Sequence, residues 1–355
     1  MTSRTALVVG ATGIVGLNLA TLLADQPDWQ VYGLARNPKP GKGVQAVAAD
    51  LLKPDALRDA IAGIEPTHVF LTTRMRQPTE AENIKVNAAM VRNVLDALSS
   101  AASVQHVALV TGLKHYLGPF ENYGKGKLPA TPFREEQGRL EVANFYYAQE
   151  DEVFAAAQRD GFTWSVHRPH TIIGYALGNA MNMGVTLATY ATICRETGLP
   201  FLFPGSGVQW NGLTDMTDAR LLARHLQWAS TTPAAQNEAF NVVNGDVFRW
   251  SWMWQQIARW FDIEPAAFPG KGTPLELQLA DGAPVWAEIA RRHNLAEPDL
   301  KVLASAWHTD ADLGRPIEVL TDMSRSRKLG FLDYQPTDDS FFDLFAKLRE
   351  QRIIP

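Results

Sequence analysis

The stretch ENYGKGKLPATP holds Tyr123 and Lys127 four residues apart, a phenol that could donate a proton and a cation that could lower its pKa. The two can cooperate only on one face of a helix, because helical geometry is what makes residues i and i+4 neighbours. Two glycines and two prolines fall within a few residues of Tyr123. A glycine costs a helix about 1 kcal/mol and a proline about 3 kcal/mol, so the segment reads as a loop and the pair as a decoy. A second phenol source is NFYYAQEDEVFAAAQRDG, which has helical spacing and Asn144 placed as its N-cap. It offers Tyr146 and Tyr147, yet Glu150 and Asp151, not lysine, stand four residues on. Acids cannot supply the positive field that favours a phenolate; near a helix N-terminus they suit the dipole instead. A cation must come from elsewhere, and Lys114 in VTGLKHYLGPFE is the candidate. Spacing leaves two readings of it open: a site lysine delivered from the end of a strand, or an ordinary surface lysine on a loop.

These residues need elements to hold them. The first half of the chain alternates apolar runs (TALVVGA, QVYGLAR, VQAVAAD, THVFLTT, HVALVTG, WSVHRPHTII) with stretches of helical spacing such as GIVGLNLATLLAD and IKVNAAMVRNVLDALSSA. That alternation is the pattern of an α/β fold with a doubly wound parallel sheet. After about Gly174 the rhythm changes. MNMGVTLATYATICRETG, LPFLFPGSGVQWNG and the Trp-rich FRWSWMWQQIARWFDIEP do not continue the repeat. The division expected is therefore a Rossmann domain over 1–174 and a smaller, mostly helical cap over 175–355, interleaved with it and covering the carboxyl edge of the sheet.

The first strand–helix junction reads VVGATGIVG, with Gly10, Gly13 and Gly16 spaced Gly-x-x-Gly-x-x-Gly. Such glycines allow a tight turn, close approach of backbone N–H groups to a pyrophosphate, and contact of helix with strand. A nicotinamide dinucleotide is the expected ligand. At the end of the second strand, NAD sites place a carboxylate and NADP sites a cation. GLARNPKPGK puts Arg36 there, followed by Lys39 and Lys42 with no acid nearby, which favours NADPH. Asp50, ending VQAVAAD, fits a place beside the adenine.

Composition narrows the class further. The chain has 355 residues, 46% apolar and 20% charged, with net charge −5, so nothing draws it to nucleic acid or an anionic membrane. It shows no signal-peptide pattern and no apolar run near the roughly 20 residues of a membrane span. One cysteine, Cys194, excludes an internal disulfide and sits in a helical apolar pattern. A cytoplasmic protein is expected, with a small-molecule substrate and a homodimer left open. His115, His167 and His170 lack the companions of a metal site; Trp250, Trp252, Trp254 and Trp260 suit cap packing.

TGLKHYLGPFE, NFYYAQED, WSVHRP followed by TIIG, MNMGVTLATYATICRETGLPFLFPG and FNVVNGDVFRWSWMW occur in this order. Together they resemble the motifs of the progesterone 5β-reductase/iridoid synthase-like enzymes, atypical extended short-chain dehydrogenases. The resemblance runs from Gly10 to at least Trp254. It implies NADPH-dependent reduction of the C=C bond of α,β-unsaturated carbonyls. It places the catalytic lysine at Lys114 and the catalytic tyrosine at Tyr146, with Tyr147 a packing neighbour. It sets Phe120 against substrate and Arg36 on the 2′-phosphate. The full expected cofactor contact set is Gly10, Thr12, Gly13, Ile14, Gly16, Arg36, Asn37, Asp50, Leu51, Thr73, Lys114, Tyr146 and Ile172. The expected substrate contacts are Phe120, Tyr116 and Met181. Three positions depart from the family pattern: Asn37 for a second basic residue, Arg74 for a tryptophan, and His170 for a glycine.

Two rivals share the scaffold. A carbonyl reductase or sugar-nucleotide epimerase would use the helical Tyr-x-x-x-Lys that this chain lacks. An NADPH-sensing regulator would keep the glycine turn without retaining both Lys114 and Tyr146.

Overall fold

The computed structural model describes residues 4–39, 41–119 and 130–355. In chain order, β1 (Arg4–Val9) leads through the glycine turn into α1 (Ile14–Ala24). Next come β2 (Trp29–Ala35), β3 (Val44–Ala48), α2 (Pro54–Ala60), β4 (His68–Leu71) and α3 (Glu80–Ala97). Then follow β5 (His106–Val110), the short α4 (Lys114–Leu117), α5 (Phe145–Asp160) and β6 (Thr163–Pro169). Four-residue runs such as HVFL are buried throughout, as strands covered by helices on both faces must be. Helix α3 opens on a capping box between Thr79 and Glu82. The N-cap expected at Asn144 is present, accepting from Tyr146 N, and α5 stops at Gly161 in the left-handed region, φ +80°.

The apolar run expected over 164–173 divides. β6 ends at Pro169, and Ile172–Ile173 forms β7, which pairs with β8 (Thr217–Asp218) as a separate two-stranded sheet. Between them lie α6 (Met183–Thr197) and α7 (Gly207–Asn211). After β8 the chain returns to the nucleotide half. Helix α8 (Ala219–Thr231) packs on α1, and β9 (Glu238–Val242) adds a seventh parallel strand beside β6. The sheet order is β3-β2-β1-β4-β5-β6-β9. EAFNV was not among the strands expected, because its short run sits inside a segment read as cap. The chain then continues through α9 (Trp250–Trp260), α10 (Leu275–Gln278), α11 (Gly282–His293), α12 (Leu300–Leu303), α13 (Ala306–Leu313), α14 (Ser324–Lys328) and α15 (Thr337–Glu350).

Register aligns the carboxyl ends of the strands at one edge: Val9 lies beside Leu34 and Leu71, Leu71 beside Leu109, and Val110 beside His167. Side chains alternate across the sheet. Phe70 and Ala108 face α1 and α8, while Leu71 and Leu109 face α2, α3 and α5. A third core lies outside the sheet, where Trp250, Trp254 and Trp286 are fully buried among α6, α9, α11 and α15. Trp254 stacks on Phe201 at 4.0 Å and donates to its carbonyl. The tryptophans are thus packing residues, apart from exposed Trp252. Cys194 is buried there too, its thiol pushed up to about 11 by desolvation, which removes it as a nucleophile. Among the described residues, no helix is long and apolar enough to cross a membrane.

One polar chain threads the sheet. His106 Nε2 meets Ser165 Oγ at 2.9 Å, Ser165 Oγ meets His167 Nε2 at 2.8 Å, and His167 Nδ1 meets His225 Nδ1 at 3.0 Å. Burial pushes the imidazoles of His106 and His225 down to about 3 and holds His167 well below its ordinary value. The folded state therefore keeps these rings neutral. Their contribution to stability is complete above the unfolded pKa of about 6.5 and is lost as pH falls from there towards 3. At pH 5, His106 and His225 should each cost about 2 kcal/mol relative to pH 7.5. A thermal melting series across that range should show a steady fall in Tm, with a shallower slope for His225→Phe. A Tm that stays flat down to pH 5 would contradict this account of the core.

Candidate active site

A cavity of about 570 Å³ runs along the carboxyl edge of the sheet, between the ends of β1, β2, β4, β5 and β6 and the start of α13. Its first end is built by the glycine turn. Gly10 has φ +92°, and a Cβ there would approach Thr72 Oγ1 at 3.0 Å and Thr73 Cβ at 3.1 Å. A Cβ on Gly16 would lie 2.3 Å from the Gly10 carbonyl oxygen, so that glycine lets α1 close on the turn. Gly13 caps α1 without any side-chain bond, and no acid occupies its first turn. Ile14 and Val15, whose N–H groups begin the helix, line the cavity. Unsatisfied N–H groups, the positive dipole end and a cradle that a Cβ would fill together suit a pyrophosphate. Arg36, exposed just past β2, stands on the same wall with Asp50 and Leu51. Asp50 accepts from Leu52 N at 3.0 Å, an arrangement that fixes its loop. The residues present therefore fit a dinucleotide.

The second end is built by α4 and α5. Lys114 opens α4 immediately past β5, is only 7% exposed, and holds Nζ 5.3 Å from the centre of the Phe145 ring. Asn144 links the two helices: its Oδ1 accepts from Tyr146 N at 3.0 Å, and its Nδ2 donates to the Lys114 carbonyl at 2.8 Å. This brings Tyr146 over the end of the sheet. A Cβ on Gly112 would approach Tyr146 Oη at 3.2 Å and the Pro169 carbonyl at 3.4 Å. Burial raises the phenol pKa of Tyr146, the Arg74 charge opposes that shift, and Glu80 adds to it. Tyr147 has other obligations. Its hydroxyl donates to the His115 carbonyl at 2.6 Å and accepts from Leu140 N at 2.9 Å. Glu150 and Asp151 face away as well, both paired with Arg139.

The cavity thus gathers Gly10, Thr12, Gly13, Ile14, Arg36, Asp50, Leu51, Thr73, Lys114, Tyr146, Ile172 and Met181. Gly16 lies beneath the turn, and Asn37 is exposed beside the wall but not part of it. Tyr116, expected against substrate, lies off the wall instead. It is 4% exposed, stacks on Phe133 at 5.1 Å, and donates to Asn241 Oδ1 at 2.7 Å. Each of those contacts draws the ring into the core. Phe120, Tyr123 and Lys127 lie outside the described residues. His115 and His167 are both buried away from the cavity, His167 in the sheet and His115 against the Gln137 carbonyl.

Several wall residues had no signal as site residues in the sequence. Trp307, His308 and Asp312 come from α13, and Arg315 follows it. His170, noted as a departure and set aside as a metal ligand, lies on the wall with Nδ1 2.8 Å from Asp215 Oδ1. Distance in the chain separates the residues of α13 and Arg315 from the motifs, and no local pattern marks them.

The chain matches the PRISE-like Rossmann-fold domain over residues 50–355. It is 39% identical to an (S)-8-oxocitronellyl enol synthase of Camptotheca acuminata, over 99% of this chain and 93% of that one. It is 38% identical to a 3-oxo-Δ(4,5)-steroid 5β-reductase of Arabidopsis thaliana, over 99% of this chain and 93% of that protein. The fold also resembles a short-chain dehydrogenase/reductase superfamily protein of Agrobacterium tumefaciens solved with bound NAD. That match has TM-score 0.65 and 16% identity, covering 99% of this chain and 98% of the other. By sequence along its whole length and by the architecture that carries its cavity, this chain belongs to the PRISE-like Rossmann-fold domain family.

Proposed function

We propose that this chain reduces the C=C bond of α,β-unsaturated carbonyl compounds, that NADPH is its reductant, and that Tyr146 and Lys114 are its catalytic residues. The observation that carries the reading is the position of the Tyr146 hydroxyl over Gly112, at the end of β5 and in one cavity with Lys114 and the glycine turn. Relatives named as an enol synthase and a steroid 5β-reductase point to the same chemistry.

NADPH, when bound, supplies the hydride that reaches the substrate β-carbon. Negative charge then develops on the carbonyl oxygen of the substrate. Burial keeps the Tyr146 phenol protonated at neutral pH, so it can donate a hydrogen bond to that oxygen. Such a donor accelerates the reaction because its interaction strengthens as the charge forms. Lys114 adds positive potential from the end of β5, the direction opened by the absence of a lysine four residues after Tyr146. Gly10, Gly13 and the first turn of α1 hold the pyrophosphate, Arg36 the 2′-phosphate, and Asp50 and Leu51 flank the adenine.

Removing one preorganised donor costs roughly 2.7–4 kcal/mol, or 10²–10³ in rate. Tyr146→Phe should therefore lose that much kcat while binding NADPH as before. Tyr147→Phe, which disturbs only a structural pair of hydrogen bonds, should keep turnover within a few-fold of wild type. The reaction should be followed with a cyclic enone and the product identified. A saturated ketone is expected, whereas an allylic alcohol would replace this reading with carbonyl reduction.

Arg36 allows a separate measurement. Arg36→Gln should raise KM for NADPH about tenfold through loss of a charge-assisted contact, leaving KM for NADH nearly unchanged. Equal effects on both cofactors would remove Arg36 from the 2′-phosphate.

A further inference from the structure

Beside Tyr146 the cavity wall carries three guanidinium groups, Arg74, Arg76 and Arg315, against one carboxylate, Asp312. The surplus is notable in a chain of net charge −5. Arg315 is already engaged: Nε donates to the Asp312 carbonyl at 2.8 Å, and Nη2 lies 3.7 Å from its Oδ1. Thr171 donates to the other carboxylate oxygen at 2.6 Å. Arg74 and Arg76 have no carboxylate partner among the described residues. Half-buried Arg74 lies 4.9 Å over the Phe145 ring, donates to Met181 Sδ at 3.0 Å, and leaves Nε buried without a partner. The Arg76 guanidinium lies 3.7 Å over the Trp307 ring. Glu80, whose charge bears on Tyr146, already accepts from Phe145 N at 2.8 Å and from Asn83 Nδ2 at 3.3 Å.

Stacking over a ring fixes the plane of a guanidinium and leaves its N–H edge for a two-pronged contact with an anion. A thioether is a poor substitute for that anion. The nucleotide phosphates have their own cradle at the opposite end, around Gly10, Gly13 and Arg36. Phe145 and Tyr146 have ring centres 4.2 Å apart, so Arg74 belongs to the reacting end. His308 joins the cluster: burial first, then the charges of Arg315, Arg74 and Arg76, hold its imidazole below the ordinary value despite Asp312.

We propose that Arg74 and Arg76 form a carboxylate-binding site, and that the enone or enal this chain reduces carries a carboxylate remote from its C=C bond. The inference rests on the enone-reductase reading and narrows its substrate class.

The probes are (E)-8-oxooct-6-enoate, an enal with its carboxylate four methylenes from the C=C bond, and its methyl ester, with binding to the NADP+-loaded protein measured by calorimetry and turnover by product analysis. The carboxylate should bind and turn over about tenfold better than the ester, the scale of a charge-assisted pair. Arg74→Gln combined with Arg76→Gln should bring that ratio to near one without weakening NADP+ binding, and the corresponding double Lys variant should keep part of the preference. A ratio of one in the wild type overturns the proposal. So does a Gln variant that keeps the ratio but loses NADP+ affinity, because the two cations would then serve the cofactor. If neither probe is reduced while the carboxylate still binds better, the anion site stands and the reductase reading falls.

Discussion

The geometry of the site depends on one side chain that bonds in two directions. Asn144 accepts from the N–H of Tyr146 and donates to the carbonyl of Lys114. The first bond is an ordinary N-cap, a type of contact that contributes about 1 kcal/mol to a helix. The second ties the start of α5 to the first residue of α4, beyond the end of β5. With the Tyr147 hydroxyl on the His115 carbonyl and the Glu80 carboxylate on Phe145 N, this pair of bonds sets how far the phenol stands from the strand end. In the proposed reaction, cation and phenol would come from different elements, and a buried amide fixes their spacing.

The sequence made the nucleotide end readable, because its chemistry is local. A glycine turn, a cation at the end of the second strand and strand–helix alternation all fall within short windows, and the structure places Gly10, Gly13, Arg36 and Asp50 on one wall. The reacting end was readable only in part. Tyr146 and Tyr147 differ by one helical step, about 100°, and pattern alone cannot say which ring faces the cavity; hydrogen bonds at both sides of the Tyr147 hydroxyl separate them. Tyr116 was misplaced because α4 is a single turn, too short to show a face, and the partner that draws the ring away, Asn241, is far along the chain. The contribution of α13 left no trace in the motifs for the same reason. β9 was missed because a strand of five residues between two helices resembles a loop.

Two kinds of buried polarity coexist in the molecule. Between the sheet and α8, His106, Ser165, His167 and His225 bond in series without net charge, as a low-dielectric interior favours. On the cavity wall the polarity is ionic and unbalanced, with guanidinium groups outnumbering carboxylates. The first arrangement stabilises a fold and the second prepares a surface for a ligand. Arg74, noted in the sequence only as a departure from the family pattern, belongs to the second kind.

The return of the chain to the sheet after the cap has a consequence for how the protein is made. β6 gains its outer neighbour only when β9 pairs with it, and α8 must arrive to cover α1. Until Val242 has left the ribosome, the nascent nucleotide half presents an unpaired strand edge and an uncovered apolar helix face, features that invite aggregation. Joining fragments of relatives at residue 174 would set one protein's α8 and β9 against another's α1 and β6, so diversification here is expected to proceed by insertion and substitution rather than by recombination of modules.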